Sequence, residues 1–135
     1  MKRIPHGRDK VELGTFSELL AAAWFTQQGF QTFKALSPGA TCDLLVFKDK
    51  GNAKIWRIEV KSTKKFGPLA PITNNPGRHQ IRRFDVLASV NQRGKVRCYK
   101  PVLALVSLKR GGTKTQLTWQ RVYPPRFEFK IGQDS

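Results

Sequence analysis

Cys42-Asp43-Leu44-Leu45-Val46-Phe47 and Ile55-Trp56-Arg57-Ile58-Glu59-Val60-Lys61-Ser62 are the two stretches whose reading decides the fold. Both are short, apolar and rich in Leu, Val, Ile and aromatic residues, which is the composition of strands. Between them, Asp49-Lys50-Gly51-Asn52 carries the residue types of a hairpin turn. Side chains on a strand alternate faces with period two. Glu59 and Lys61 therefore project from one face and Ile58 and Val60 from the other, while Asp43 shares a face with Leu45 and Phe47. Two carboxylates and an ammonium converge on one spot.

Chemistry explains why these types are wanted together. A hard divalent cation takes oxygen ligands, commonly one or two carboxylates completed by water and substrate phosphate. Asp43 and Glu59 suit that role, and Lys61 suits orienting the attacking water or stabilising the charge that builds on phosphorus. The plainer reading makes Asp43 a strand-start carboxylate and Glu59 with Lys61 an ion pair on a solvated face. Against it, the chain has only 9 acidic residues, and these two fall in its most apolar strands. Burying even a neutral polar group without a partner costs about 2 to 7 kcal/mol.

At 135 residues the chain is expected to be one domain with a real core, 39% of its residues being hydrophobic. Lys and Arg number 25 against 9 acids, a formal net charge of +16, so nucleic acid is the expected partner. The basic residues are spread along the chain and form no basic amphipathic helix, which argues against a membrane surface. Neither a long apolar run nor a signal-like N-terminus is present, so an intracellular (cytoplasmic) location is expected. Cys42 and Cys98, two and widely spaced, read as small buried hydrophobes, not as a zinc site or disulfide.

Along the chain, Lys10 to Gln28 predicts a helix with a stripe of Val11, Leu13, Phe16, Leu20, Ala23, Trp24 and Gln27. Gly29 is its left-handed cap, and a second cluster of Ala21, Ala22 and Phe25 lies on another face. Phe30 to Phe33 is a short strand candidate, and 63–80 a long Gly/Pro-rich segment predicted to be a DNA-contacting loop. Phe84 to Val90 reads as a strand over a competing helical spacing. Lys95 to Tyr99 and a buried Val102 to Leu108 follow, then a Gly111-Gly112 turn into Gln116 to Val122. The domain core is expected over about residues 10–122, with 123–135 a peripheral tail.

A helix carrying Glu18, Gly29-Phe30 at its end, a strand with Asp43, and Ile58-Glu59-Val60-Lys61-Ser62 on the next together resemble the PD-(D/E)xK nuclease superfamily. The Glu18 helix resembles that of archaeal Holliday junction resolvases, and Phe84 to Val90 with Tyr99-Lys100-Pro101 looks like group I intron-encoded homing endonucleases. Cys42 stands where the motif's name has proline, a position that does no chemistry. The resemblance implies an α/β restriction-endonuclease-like sandwich, with a central mixed β-sheet and the N-terminal helix packed on it. It also implies Mg2+, with Mn2+ as a substitute, and hydrolysis of DNA phosphodiesters. Carried over by position, Glu18, Asp43, Glu59 and Lys61 are the acidic and basic members, and the Val60 carbonyl is a further metal ligand. Glu18 also fits a capping box, Thr15-Phe16-Ser17-Glu18, and both readings stand.

Lys64 and Lys65, and Arg78, His79 and Gln80 after the long segment, are candidates for the DNA backbone, or simply solvated charges. Core packing is the expectation for Trp24 and Trp56, while Trp119 is open. These features predict a metal-dependent endonuclease acting on duplex or branched DNA, structure-specific or site-specific. One site cuts one strand, so a homodimer is expected. The alternative is a non-catalytic nucleic-acid-binding module that has kept the fold, distinguished by salt-sensitive affinity without a magnesium requirement.

Overall fold

The computed structural model describes residues 9–37, 39–48, 54–63 and 81–129, with side chains from residue 12 onward. Helix α1 runs Asp9–Gln27 and is followed by six strands. These are β1 (Gln31–Lys34), β2 (Leu44–Phe47), β3 (Trp56–Ser62), β4 (Val86–Val90), β5 (Val96–Ser107) and β6 (Thr113–Val122). They form one sheet in sequential order, antiparallel throughout except for β3 and β4, which run parallel. The fold is thus the expected α/β class, a mixed sheet with the N-terminal helix packed on it.

The parallel pair accounts for the long connection between β3 and β4, since a return to the same strand direction needs a crossover of about a dozen residues or more. Residues 64–80 lie outside the described residues, and with them the predicted loop and its candidates Lys64, Lys65, Arg78 and His79. The predicted turn at 49–52 lies outside them too, although β2 and β3 are antiparallel neighbours.

Helix α1 ends where a left-handed residue was expected. Gly29 has φ +90, and the amides of Gly29 and Phe30 donate back to the carbonyls of Thr26 and Phe25, which closes the last turn. A Cβ at Gly29 would also meet Lys48 Nζ at 2.8 Å. The buried face of α1 centres on the second predicted cluster, and only Leu20 and Trp24 of the described stripe residues pack on the core. Ser17, Ala21 and Phe25 are buried, with Leu20, Ala22 and Trp24 packed beside them, whereas Phe16 is exposed and Ala23 faces outward. The helix is read by spacings of three and four, and both stripes satisfy them; the small residues Ser17 and Ala21 are the ones that let the helix approach the sheet.

The core fills the space between α1 and the inner face of the sheet with Leu44, Val46, Ile58, Val60, Val86 and Ala88 among others. Phe127 sits at its centre, fully buried, with its ring against Phe25, Phe30 and Trp56 at centroid distances of 6.1, 5.6 and 4.9 Å. Phe127 therefore belongs to the core, against the expectation of a peripheral tail over 123–135, whose residues 130–135 lie outside the described ones. Trp24 and Trp56 pack on this core as predicted.

A smaller cluster of Phe84, Leu87 and Tyr99 covers the outer face, with Cys42 and Trp119 against it and the Trp119 ring stacked on Phe84. Coverage on both sides explains why all five residues of β4 are buried. The strand predicted as buried over Val102 to Leu108 is instead the outer half of β5. That strand continues unbroken through Pro101, which is tolerated because it lies beyond the β4 pairing.

Ser89 is the one polar residue of β4. It is fully buried, and its hydroxyl has no partner among the described residues. An unmade hydrogen bond in such a place costs about 1 to 3 kcal/mol. Ser89→Ala is accordingly expected to raise the urea midpoint, by about 1 kcal/mol of stability. A lowered midpoint would show that the hydroxyl is bonded in solution.

Candidate active site

Strand register sets the site. Leu44 pairs with Ile58 and Leu45 with Arg57, so Asp43, just before β2, lies beside Glu59 on the outer face, while Ile58 and Val60 point into the core. The backbone holds Asp43 from two directions: its amide donates to the Ile58 carbonyl at 3.0 Å, and its Oδ2 accepts the Val60 amide at 2.8 Å. The carboxylate thus takes the place of a ladder partner that the departing chain no longer provides. N–H and C=O of one strand residue point to the same side. The Val60 carbonyl is therefore directed to the edge where Asp43 stands, as a metal ligand would need.

Glu18 arrives from α1. The Ser17 hydroxyl lies 2.6 Å from that of Ser62, which ties the helix to the end of β3 and fixes the neighbouring Glu18. Glu18 lies in the middle of a helix that starts at Asp9, so the capping box at Thr15 does not exist; the helical stretch begins two turns earlier than that motif would require. The carboxyls of Glu18 and Glu59 are both within hydrogen-bonding reach of Asp43. Three acids from three elements meet at one end of the sheet.

Their electrostatics follow from this crowding. Burial, then the hydrogen bond and negative charge of Asp43, push Glu59 up to about 8, with Lys61 and Arg83 pulling the other way. Burial and the same Asp43 also raise Glu18, and Lys34 opposes the shift. Lys61 is exposed on the same face as Glu59, two residues on along β3. Arg83 and Lys34 were missed by the sequence reading. Arg83 follows Arg82 just ahead of β4, a basic doublet whose nearness to Glu59 depends on the parallel pairing.

Arg57, the first outward residue of β3, is clamped to Asp85 by Nε and Nη2 contacts of 3.3 and 3.2 Å, and its amide donates to the same carboxylate at 2.8 Å. This pair fixes the start of β4 against β3 and so sets which residues stand beside Glu59. Beside Asp43 opens a cavity of about 400 Å³ lined by Phe33, Lys34, Cys42, Leu45 and Arg57. Cys42 and Cys98 are free thiols, Cys98 buried and Cys42 half-buried, and burial raises the pKa of both.

The donor set suits a hard divalent cation. Asp43, Glu59 and the Val60 carbonyl offer only oxygen, and the burial and the crowding by Asp43 that raise Glu59 are what a cation would relieve. Among the described residues no three His, Cys, Asp or Glu side chains enclose a cation by themselves. Magnesium does not need that, because water and phosphate complete its shell. No helix of the described residues is long and apolar enough to cross a membrane.

No family model matches the chain, and no curated protein matches it. A solved structure of a bacterial homing endonuclease is similar to the chain. The identity is 16%, the match covers 96% of this chain and 84% of that one, and the TM-score is 0.48.

Proposed function

We propose that the protein is a divalent-metal-dependent DNA endonuclease of the PD-(D/E)xK type. The observation that carries this reading is the meeting of Glu18, Asp43 and Glu59, brought by α1, the start of β2 and β3, at one sheet end in a chain of net charge +16. An acidic knot in so basic a protein repels a phosphate backbone unless a cation stands between them. Asp43, Glu59 and the Val60 carbonyl hold Mg2+ or Mn2+ in this reading. A cation held there would lower the pKa of a water and neutralise charge on the phosphate. Lys61 orients the attacking water or stabilises the phosphoryl oxygens, and Arg83 stands ready to contact a phosphate flanking the one that is cut. Glu18, through its contact with Asp43, orients that carboxylate. Lys64, Lys65, Arg78 and His79 are assigned to the DNA backbone on their places in the sequence next to β3 and β4.

Both a structure-specific substrate, such as a four-way junction, and a specific duplex site are compatible with this centre. Supercoiled plasmid and a synthetic junction, incubated with the purified protein in magnesium or in EDTA, test the proposal. Cutting in magnesium and none in EDTA is the expected result, and the preferred substrate chooses between the two. Binding that weakens with salt but needs no magnesium, with neither substrate cut, would favour the non-catalytic binding module.

A further inference from the structure

Strand register sets Phe33, Leu45 and Arg57 in a row on the outer face of the sheet. Phe33 pairs with Leu45 and Leu45 with Arg57, so the three stand side by side across β1, β2 and β3. Asp43 and Glu59 lie on the same face two residues further along, about 7 Å away. The cavity of about 400 Å³ opens over this row and takes Asp43 itself into its wall. That volume lies within the range of small-ligand sites, about 300 to 1,000 Å³.

The walls are of two kinds. Phe33 is 54% exposed, and its ring is stacked on that of Phe47 at 5.7 Å with the planes 6° apart. Phe47 does not line the cavity, so the stack covers one face of the Phe33 ring and the cavity opens on the other. A flat aromatic guest there would continue the stack. Leu45 is an apolar floor, itself 38% exposed. Across from Phe33, Arg57 presents a guanidinium whose direction is fixed by Asp85, and Lys34 adds a second cation.

We propose that this cavity takes a single unpaired nucleobase of the DNA, stacked on Phe33, beside the phosphate that meets Asp43 and Glu59. Chemistry chooses the occupant. A base that stays paired in the duplex cannot enter a concave site, and a bare phosphate gains nothing from Phe33 and Leu45. A nucleotide supplies both parts, a π-face for the aromatic ring and an anion for Arg57 and Lys34. The offset of two residues between the acids and the row matches the reach from a phosphate to a neighbouring base. The inference rests on the nuclease reading for its ligand and narrows the substrate. A centre that must hold an extruded base favours DNA with an unpaired position, such as a bulge or a branch, over uniform duplex, because the cost of unstacking is already met.

The test is binding in EDTA at about 200 mM salt, where phosphate contacts are weakened, read by fluorescence anisotropy. Three labelled duplexes of one sequence are compared: fully paired, with one extra unpaired adenine, and with an abasic nucleotide in place of that adenine. The wild type is expected to bind the adenine DNA about 5- to 150-fold more tightly than the abasic DNA, the size of one base–aromatic stack. Phe33→Ala should lose that difference and Phe33→Trp keep it, while both bind the paired duplex as the wild type does. Equal affinity of the wild type for the adenine and abasic DNAs overturns the proposal, whatever the variants do. A Phe33→Ala protein that keeps the difference overturns it too. Failure of the nuclease reading shows separately: base discrimination without cutting in magnesium supports the pocket and removes the catalyst, and cutting without discrimination does the reverse.

Discussion

Lys61→Ala and Asp43→Asn are each expected to lower magnesium-dependent cleavage by about 10²- to 10³-fold or more, the loss that accompanies removal of one transition-state charge partner. The two variants separate chemistry from folding. Lys61 is exposed, so Lys61→Ala should leave the melting temperature within the small range of surface substitutions, about 0.5 kcal/mol. Asp43 also accepts the Val60 amide at 2.8 Å, and an asparagine keeps an acceptor oxygen there while losing the charge. Asp43→Ala removes the acceptor as well and should cost a further 1 to 3 kcal/mol or so of stability. DNA binding in EDTA ought to persist in both charge variants. It should tighten slightly for Asp43→Asn, because a carboxylate facing phosphate has been removed. Cleavage at the wild-type rate in either variant would remove the proposed site.

Metal affinity is expected to climb steeply with pH. Glu59 is pushed up to about 8, yet only its ionised form ligates a cation. Below that value each pH unit should therefore strengthen magnesium binding by about tenfold, with a plateau above it, as measured by calorimetric titration. Stability runs the opposite way in EDTA. A carboxyl raised from 4.5 to about 8 on folding contributes stability that is complete below the lower value and is lost as pH rises through the upper one. The melting temperature in EDTA should accordingly fall between about pH 4.5 and pH 8 and level off above, and magnesium should restore more of it at the alkaline end. Glu59→Gln removes the titration and should flatten both curves. A magnesium affinity that does not change over this range in the wild type would mean that Glu59 is not a ligand.

How much of this was legible in the chain varies with the range of the interaction concerned. Period-two alternation is a local property, so the inward Ile58 and Val60 and the outward Glu59 and Lys61 follow from their order alone. The same holds for Gly29, whose positive φ answers the need of a helix end for a left-handed residue. Helical spacing is a weaker guide. Phe16 and Leu20 keep the same period as Ser17 and Ala21, and which of these faces is buried depends on how closely the sheet approaches.

What the sequence by itself determined is therefore the strand pair that carries Asp43, Glu59 and Lys61, the helix and its cap, and the basic character of the protein. These rest on backbone periodicity, turn chemistry and net charge, which need no distant partner. Tertiary structure alone decided that Glu18 leaves a capping role for the acidic cluster, that Arg83 approaches Glu59, and that Phe127 closes the core. It also decided that β5 runs past its neighbour into a ribbon. Each of these depends on contacts between residues far apart in the chain, and above all on the parallel pairing of β3 with β4, whose register no local pattern encodes.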